Sequence, residues 1–177
     1  MPRNLIVITG SSGVGKSTLA RALQELLLPD QWLHFSVDSI FYCLPRSVVE
    51  RVDQHNDRAS LDSKAIVAAA YACTSTFLEL GHRVIFDAVI LSKKGADSLM
   101  NTLGRFDPLI VELTSSWDAI QERTLARGDR TLAEAEHGYK LAGGHVKYHH
   151  TFDSTSAPAV AIAAKLVELL HAGTDAA

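Results

Sequence analysis

Apolar and polar positions follow two periods along this chain: short, fully apolar runs, and longer stretches with a helical repeat. Leu5, Ile6, Val7 and Ile8 form an unbroken apolar run bounded by turn residues, as expected of a parallel strand covered on both faces. A helical period opens near Lys16, passes through Leu19, Leu23, Leu26 and Leu27, and has to stop before Pro29. Residues 32–35 predict a second strand, and residues 38–44 an apolar helix halted by Pro45. The stretch 46–58 carries Glu50, Arg51, Asp53, His55, Asn56 and Asp57; its polarity predicts a mobile loop or a short solvated helix. A long helix follows over residues 65–80, opened by Leu61 and Asp62, with Asp62 or Ser63 as its cap and Gly81 at its close.

The second half repeats the alternation. Strands are expected at 83–86, 109–113 and 148–152, and helices at about 95–103, 116–126 and 157–170, the middle one capped by Ser115 or Ser116. Residues 127–144 are charged and contain glycines, and the tail from His171 onward is small and polar and expected to fray. No repeat, charge block or proline-rich linker interrupts the pattern, so residues 1–177 predict one continuous α/β domain built on a five-stranded parallel sheet flanked by helices.

Composition narrows the partners. With 47% hydrophobic and 21% charged residues the chain is an ordinary globular protein. No apolar run reaches the roughly 18 residues needed to cross a bilayer, and the run starting at Leu5 is too short for a signal-peptide core, so a cytoplasmic protein is expected. A net charge of −3 supplies no general attraction for nucleic acid or anionic membrane, and neither is expected as a partner. An anionic ligand then needs a local site. Cys43 and Cys73 sit in apolar, helix-like surroundings and read as reduced thiols, more simply buried and structural than reactive.

That local site is visible. Gly10, Ser11, Ser12, Gly13, Val14, Gly15, Lys16 and Ser17 fit the phosphate-loop pattern G-x-x-x-x-G-K-[ST], followed by Thr18, between an apolar strand and a helix. Glycines let backbone N–H groups turn inward around phosphate, the lysine reaches the terminal phosphates, and the serine hydroxyl is offered to magnesium. A turn that merely joined strand to helix would not need the lysine and serine together. The pattern implies ATP and Mg2+. The chain is short for motor or remodelling ATPases and lacks the guanine-reading N-K-x-D sequence, which leaves a kinase of a small molecule.

Three further features bear on phosphoryl transfer. Asp38 falls at the end of the second strand, where it either orients the acceptor hydroxyl as a base or caps the following helix. Asp87 ends the third strand, as a magnesium-side carboxylate or as a turn residue. Arg123, Arg127 and Arg130 cluster before the 127–144 segment, either as arginines of a lid that closes on the phosphates or as a solvated basic surface. His145, His149 and His150 are close in sequence but lack the companion ligands of a metal site, and no metal role is assigned to them.

These residues resemble the chloramphenicol phosphotransferase-like family of small P-loop kinases. The loop from Gly10 to Ser17, the V-D-S-x-x-x-x-x-P segment formed by Val37, Asp38, Ser39 and Pro45, the R-G-D-R sequence of Arg127, Gly128, Asp129 and Arg130, and Tyr148 with Asp153 all match it in order. Departures are His149 after the tyrosine, Ala88 after the strand aspartate, and the unmatched stretch 46–58. The resemblance implies a nucleotide-kinase-like P-loop fold with a lid at about 127–144, and an ATP-dependent O-phosphotransferase acting on a hydroxyl of a small molecule, an antibiotic such as chloramphenicol among them. Asp38 would be the base, Arg127 and Arg130 would clamp the phosphates, Gly10 to Thr18 with Arg123 and Arg127 would hold the nucleotide, and Ser17 with Asp87 would face magnesium. A metabolic kinase of a nucleoside, nucleotide or sugar acid, or a nucleotide-binding regulator, are the rival readings.

Overall fold

The computed structural model describes residues 3–172 apart from 56, 58, 60 and 128–130. Chain order runs β1 (Leu5–Thr9), α1 (Lys16–Leu26), β2 (Trp32–Ser36), α2 (Val37–Phe41), α3 (Arg46–His55), α4 (Ser63–Glu79), β3 (Arg83–Ala88), α5 (Lys93–Leu103), β4 (Leu109–Thr114), α6 (Trp117–Arg127), α7 (Leu132–Leu141), β5 (His150–Asp153) and α8 (Ala159–Ala172). The strands form one sheet in the order β2-β3-β1-β4-β5, parallel at every pairing. The expected architecture is therefore present, with β1 at the centre and all five strands ending on the same edge.

Side-chain alternation along β1 divides the core in two. Ile6 and Ile8 join Leu19, Leu23, Ile85, Val111 and Leu166 in a layer with α1 and α8. Leu5 and Val7 join Tyr71, Val84, Phe86, Leu99 and Leu103 on the opposite face, under α4 and α5. A strand covered on both faces is mostly apolar, and all five residues of β1 are buried, four of them aliphatic with Thr9 at the end.

Several boundaries move for local reasons. Helix α2 stops at Phe41 rather than at Leu44, because the Cys43 and Leu44 amides turn to the Ile40 and Phe41 carbonyls three residues back and tighten the chain ahead of Pro45; the Pro45 carbonyl then accepts the Val48 and Val49 amides and launches α3. The polar stretch after Pro45 is thus helical up to His55, the solvated-helix alternative. Strand β3 runs on to Ala88, and Asp87 is paired with both Ile8 and Ser36, so Asp87 is a strand residue and the turn reading is overturned. Strand β5 starts at His150 instead of Tyr148, since the His149 Nδ1 atom accepts the Ile110 amide at 3.0 Å that a neighbouring carbonyl would otherwise take.

Asp62 caps α4 through the Ala65 amide, Ser116 accepts from the Ala119 amide at the start of α6, and Thr131 and Glu134 form a reciprocal capping box on α7. The segment expected to serve as a lid thus contains a regular helix. Cys43 corrects an expectation: it is exposed, because α2 is a short helix lying on the surface, and its thiol donates to the Ser39 carbonyl. Cys73 is half-buried, and both thiols are free. No helix among the described residues is long and apolar enough to cross a membrane.

Candidate active site

The loop between β1 and α1 takes a shape that only glycine allows. Gly10 has φ +144°, and a Cβ there would stand 2.2 Å from the Leu113 carbonyl oxygen of β4. Gly15, at φ +100°, occupies the N-cap of α1 without any side chain satisfying the helix's first amides. Those amides and the positive end of the helix dipole converge on the loop, which suits a phosphate. The Lys16 Nζ atom donates to the Ser11 carbonyl at 3.0 Å, closing the loop over its own chain. Ser12, Gly13 and Val14 complete the turn, and Thr18 is exposed one position past Ser17.

Sheet register brings the second group. Asp87 lies on β3 beside β1, with its side chain on the α1 face. Ser17 Oγ donates to Asp87 Oδ2 at 2.6 Å, and Lys16 Nζ stands 4.0 Å from Oδ1. His34, from the edge strand, places Nε2 3.4 Å from Oδ2, an ion-pair distance that is off the line of a hydrogen bond. Burial pushes the Asp87 carboxyl toward its neutral form, but the His34 ring, the Lys16 ammonium and the Ser17 hydroxyl together outweigh it and hold the carboxyl below its ordinary range. An ionised carboxylate beside a hydroxyl, next to a phosphate loop, suits magnesium, which takes few protein oxygens and completes its octahedron with phosphate oxygens and water. No cluster of three or more metal-ligating side chains exists among the described residues, so no all-protein cage competes with that arrangement.

Asp38 resolves differently from its two expected alternatives. Ser36 caps α2 through a reciprocal box with Ser39, whereas Asp38 sits one residue inside the helix and is exposed. The cap reading of Asp38 is therefore overturned, because β2 extends one residue further than its apolar run suggests. Ser36 pairs with Asp87, so α2 rises from the sheet edge at the level of the Ser17–Asp87 pair.

Arg123 is committed to the protein as well as to a ligand surface. Its Nη1 lies 3.4 Å from the Gly13 and Val14 carbonyls, 3.3 Å from Ser115 Oγ and 3.1 Å from Ser154 Oγ, and Nη2 donates to the Ser154 carbonyl at 3.0 Å. Ser154 Oγ in turn donates to the Val14 carbonyl at 2.8 Å. This network braces the back of the phosphate loop against α6 and the turn after β5. Beside it opens a pocket of about 220 Å³ lined by Val14, Gly15, Thr18, Arg123, Ser154 and Pro158 among others. Arg127 ends α6 one turn later, exposed; Gly128, Asp129 and Arg130 lie outside the described residues. His145 Nε2 is 2.8 Å from the Leu141 carbonyl and His149 is bonded to the Ile110 amide, so both rings are engaged by backbone.

His34 and Ser154 are the participants that sequence reading missed. His34 is the one titratable side chain in a strand of mostly apolar residues, a weak signal; Ser154 follows the Asp153 of a motif whose role rests on tertiary contact.

The chain matches the family model of chloramphenicol phosphotransferase-like proteins over residues 3–171. No curated protein matches it by sequence. Among solved structures it is similar to a sugar kinase from Janibacter sp. HTCC2649 at 14% identity and a TM-score of 0.69, covering 96% of this chain and 95% of that one. It is similar to the APS kinase of Mycobacterium tuberculosis, whose structure holds AMPPNP and APS, at 15% identity and 0.66, covering 97% and 99%. It is also similar to shikimate kinase from Acinetobacter baumannii in complex with shikimate, at 15% and 0.65, covering 95% and 93%. Likeness at these identities is one of fold, the P-loop kinase fold, whereas the family match spans nearly every residue. With the phosphate loop and its carboxylate in place beneath that match, the chain belongs to the chloramphenicol phosphotransferase-like family and is a small-molecule kinase.

Proposed function

We propose that the protein is a cytoplasmic, magnesium-dependent O-phosphotransferase that moves the γ-phosphate of ATP to a hydroxyl of an uncharged small molecule, with chloramphenicol-like antibiotics as the first candidates. The observation that carries this reading is Asp38, an exposed carboxylate relieved of capping duty by Ser36, on the helix that rises beside the Ser17–Asp87 pair.

Each part has a role in the transfer. The first amides of α1 and Lys16 hold the terminal phosphates, and the pocket beside Arg123 and Pro158 takes the adenine base against a planar guanidinium and an apolar ring. Ser17 and Asp87 would hold magnesium, which when bound offsets charge on the β- and γ-phosphates. Asp38 accepts the proton of the acceptor hydroxyl, that oxygen bonds to the γ-phosphorus, and the bond to the β–γ bridging oxygen breaks, releasing ADP. Arg127 and Arg130 follow the charge that spreads over the transferring group. The segment 127–144 acts as the lid that excludes water.

The acceptor chemistry follows from the surfaces beyond β2 and β3. Tyr42 is 63% exposed, stacked edge-on with Phe41, and Val89 and Leu91 are exposed after β3. Arg46 is paired with Glu50 and Lys93 with Asp97 within their own helices. Exposed apolar surface, with Arg46 and Lys93 drawn to carboxylates of their own helices, favours a neutral alcohol with an apolar body over a sugar acid or nucleotide.

The test is transfer from labelled ATP to a panel of hydroxylated antibiotics, nucleosides and sugar acids, with Lys16→Ala as control. Labelled phosphate on a neutral, apolar alcohol, absent in the variant, is the expected result. Transfer confined to a sugar acid or nucleotide would make the enzyme a metabolic kinase, and tight ATP binding with no transfer would make the protein a regulator.

A further inference from the structure

His34 is an imidazole on the edge strand β2, its side chain 19% exposed. Its neighbours Leu33 and Phe35 are apolar, and the register of β2 on β3 sets His34 opposite Ile85 and Ser36 opposite Asp87. Paired residues of a parallel sheet share a face, so His34, Ile85 and Asp87 all project toward α1 and the phosphate loop. There, Nε2 is buried and makes no hydrogen bond. A buried ring nitrogen in that condition is unfavourable unless something else uses it. What it approaches is Asp87 Oδ2, at 3.4 Å.

Asp87 is thus held unequally at its two oxygens. Oδ2 has Ser17 Oγ at 2.6 Å and His34 Nε2 at 3.4 Å, whereas Oδ1 faces Lys16 Nζ at 4.0 Å. Ser17 belongs to the phosphate loop's helix and also has to present its oxygen to the cation, so it is a partner with two duties. His34 comes from the far strand and has one. We infer that His34 is a positioning residue for the magnesium side of the site, fixing Oδ2 from outside the phosphate loop so that Oδ1 stays turned toward the loop. An Nε2–H tautomer suffices for this, and a small shift of the ring would bring it onto hydrogen-bond line. The inference rests on the reading of Ser17 and Asp87 as the magnesium-side pair.

AMPPNP binding by the full chain, measured by calorimetry across a range of magnesium concentrations and again in EDTA, separates this role from a structural one. For His34→Ala the half-saturating magnesium concentration should rise roughly tenfold while affinity in EDTA stays within about twofold of wild type. His34→Gln, whose amide nitrogen reaches as far as Nε2, should restore most of the magnesium response. If His34→Ala does not fold, His34→Gln against His34→Leu makes the same comparison. An unchanged magnesium requirement, an equal loss with and without magnesium, or a Gln variant no better than the apolar one would overturn the inference. Wild-type binding that is indifferent to magnesium would overturn the magnesium reading itself together with it.

Discussion

Ser17 Oγ donates to Asp87 Oδ2 across 2.6 Å, although 70 positions separate the two residues in sequence. The contact joins the first turn of α1 to the end of β3 and is made by the parallel pairing of β1 with β3. Asp87 is also a stabilising charge: against its burial, the His34 ring, the Lys16 ammonium and then the Ser17 hydroxyl hold its carboxyl below the ordinary range. The unfolded chain therefore binds more protons than the folded one just below the unfolded value of about 3.9. That stability is fully present above this pH and is lost as pH falls through the lower, folded value. Melting temperatures from pH 6 down to about pH 2.5 should show a steeper acid loss in wild type than in Asp87→Asn, which carries no titrating group. Equal slopes would mean that Asp87 is ionised no more readily when folded than when unfolded.

Asp38→Asn should leave the ATP dissociation constant nearly unchanged, and the α2 cap, made by Ser36, is untouched by it. Turnover on the acceptor should fall by about 10²-fold or more, the range of a positioned general base. Near-normal turnover would remove the base from the mechanism.

Arg123 and Arg127 share a face of α6, yet their variants should part company. Arg123→Ala strips donors from the Gly13 and Val14 carbonyls and from Ser154, and should cost about 2 kcal/mol of stability and weaken ATP binding. Arg127→Ala, at an exposed helix end, should lower kcat more than ATP affinity. Urea melts and steady-state kinetics on both proteins check the split.

At the opposite edge of the sheet, His149 Nδ1 accepts the Ile110 amide, which requires that nitrogen to be unprotonated. Burial and then the Arg3 charge push the ring's pKa down from its ordinary value. A depressed folded value means stability that is present above the unfolded pKa of about 6.5 and declines as pH falls below it. In His149→Asn the side-chain oxygen replaces Nδ1 as acceptor without titrating. Urea midpoints between about pH 7.5 and pH 5 should therefore fall in wild type and stay flatter in the variant; parallel curves would count against this.

What could be read in advance follows from how local each cause is. The phosphate loop was legible because its chemistry needs consecutive residues between a strand and a helix, and the parallel sheet because buried strands are mostly apolar. Asp38 and Asp87 were found as candidates, but their alternatives could not be separated without knowing where β2 and β3 end, which cross-strand pairing sets. Helix α7 carries its start signal openly, Thr131 with Glu134, within a stretch that charge and glycines made to look irregular. His34 and the Arg123–Ser154 brace act across strands and turns, where no periodicity points to them.

The neighbouring position of β2 and β3 in the sheet carries a practical meaning for divergence among such enzymes. Everything from α2 to α4 is a single excursion that departs from one strand and returns on the next, while the phosphate loop and Asp87 stand on β1 and β3 outside it. On the reading proposed for Asp38 and the exposed apolar side chains, exchanging acceptor preference would mean transplanting that excursion, with Asp38 and Tyr42, together with the turn after β3 that carries Val89 and Leu91, while the phosphate loop and Asp87 stay as they are.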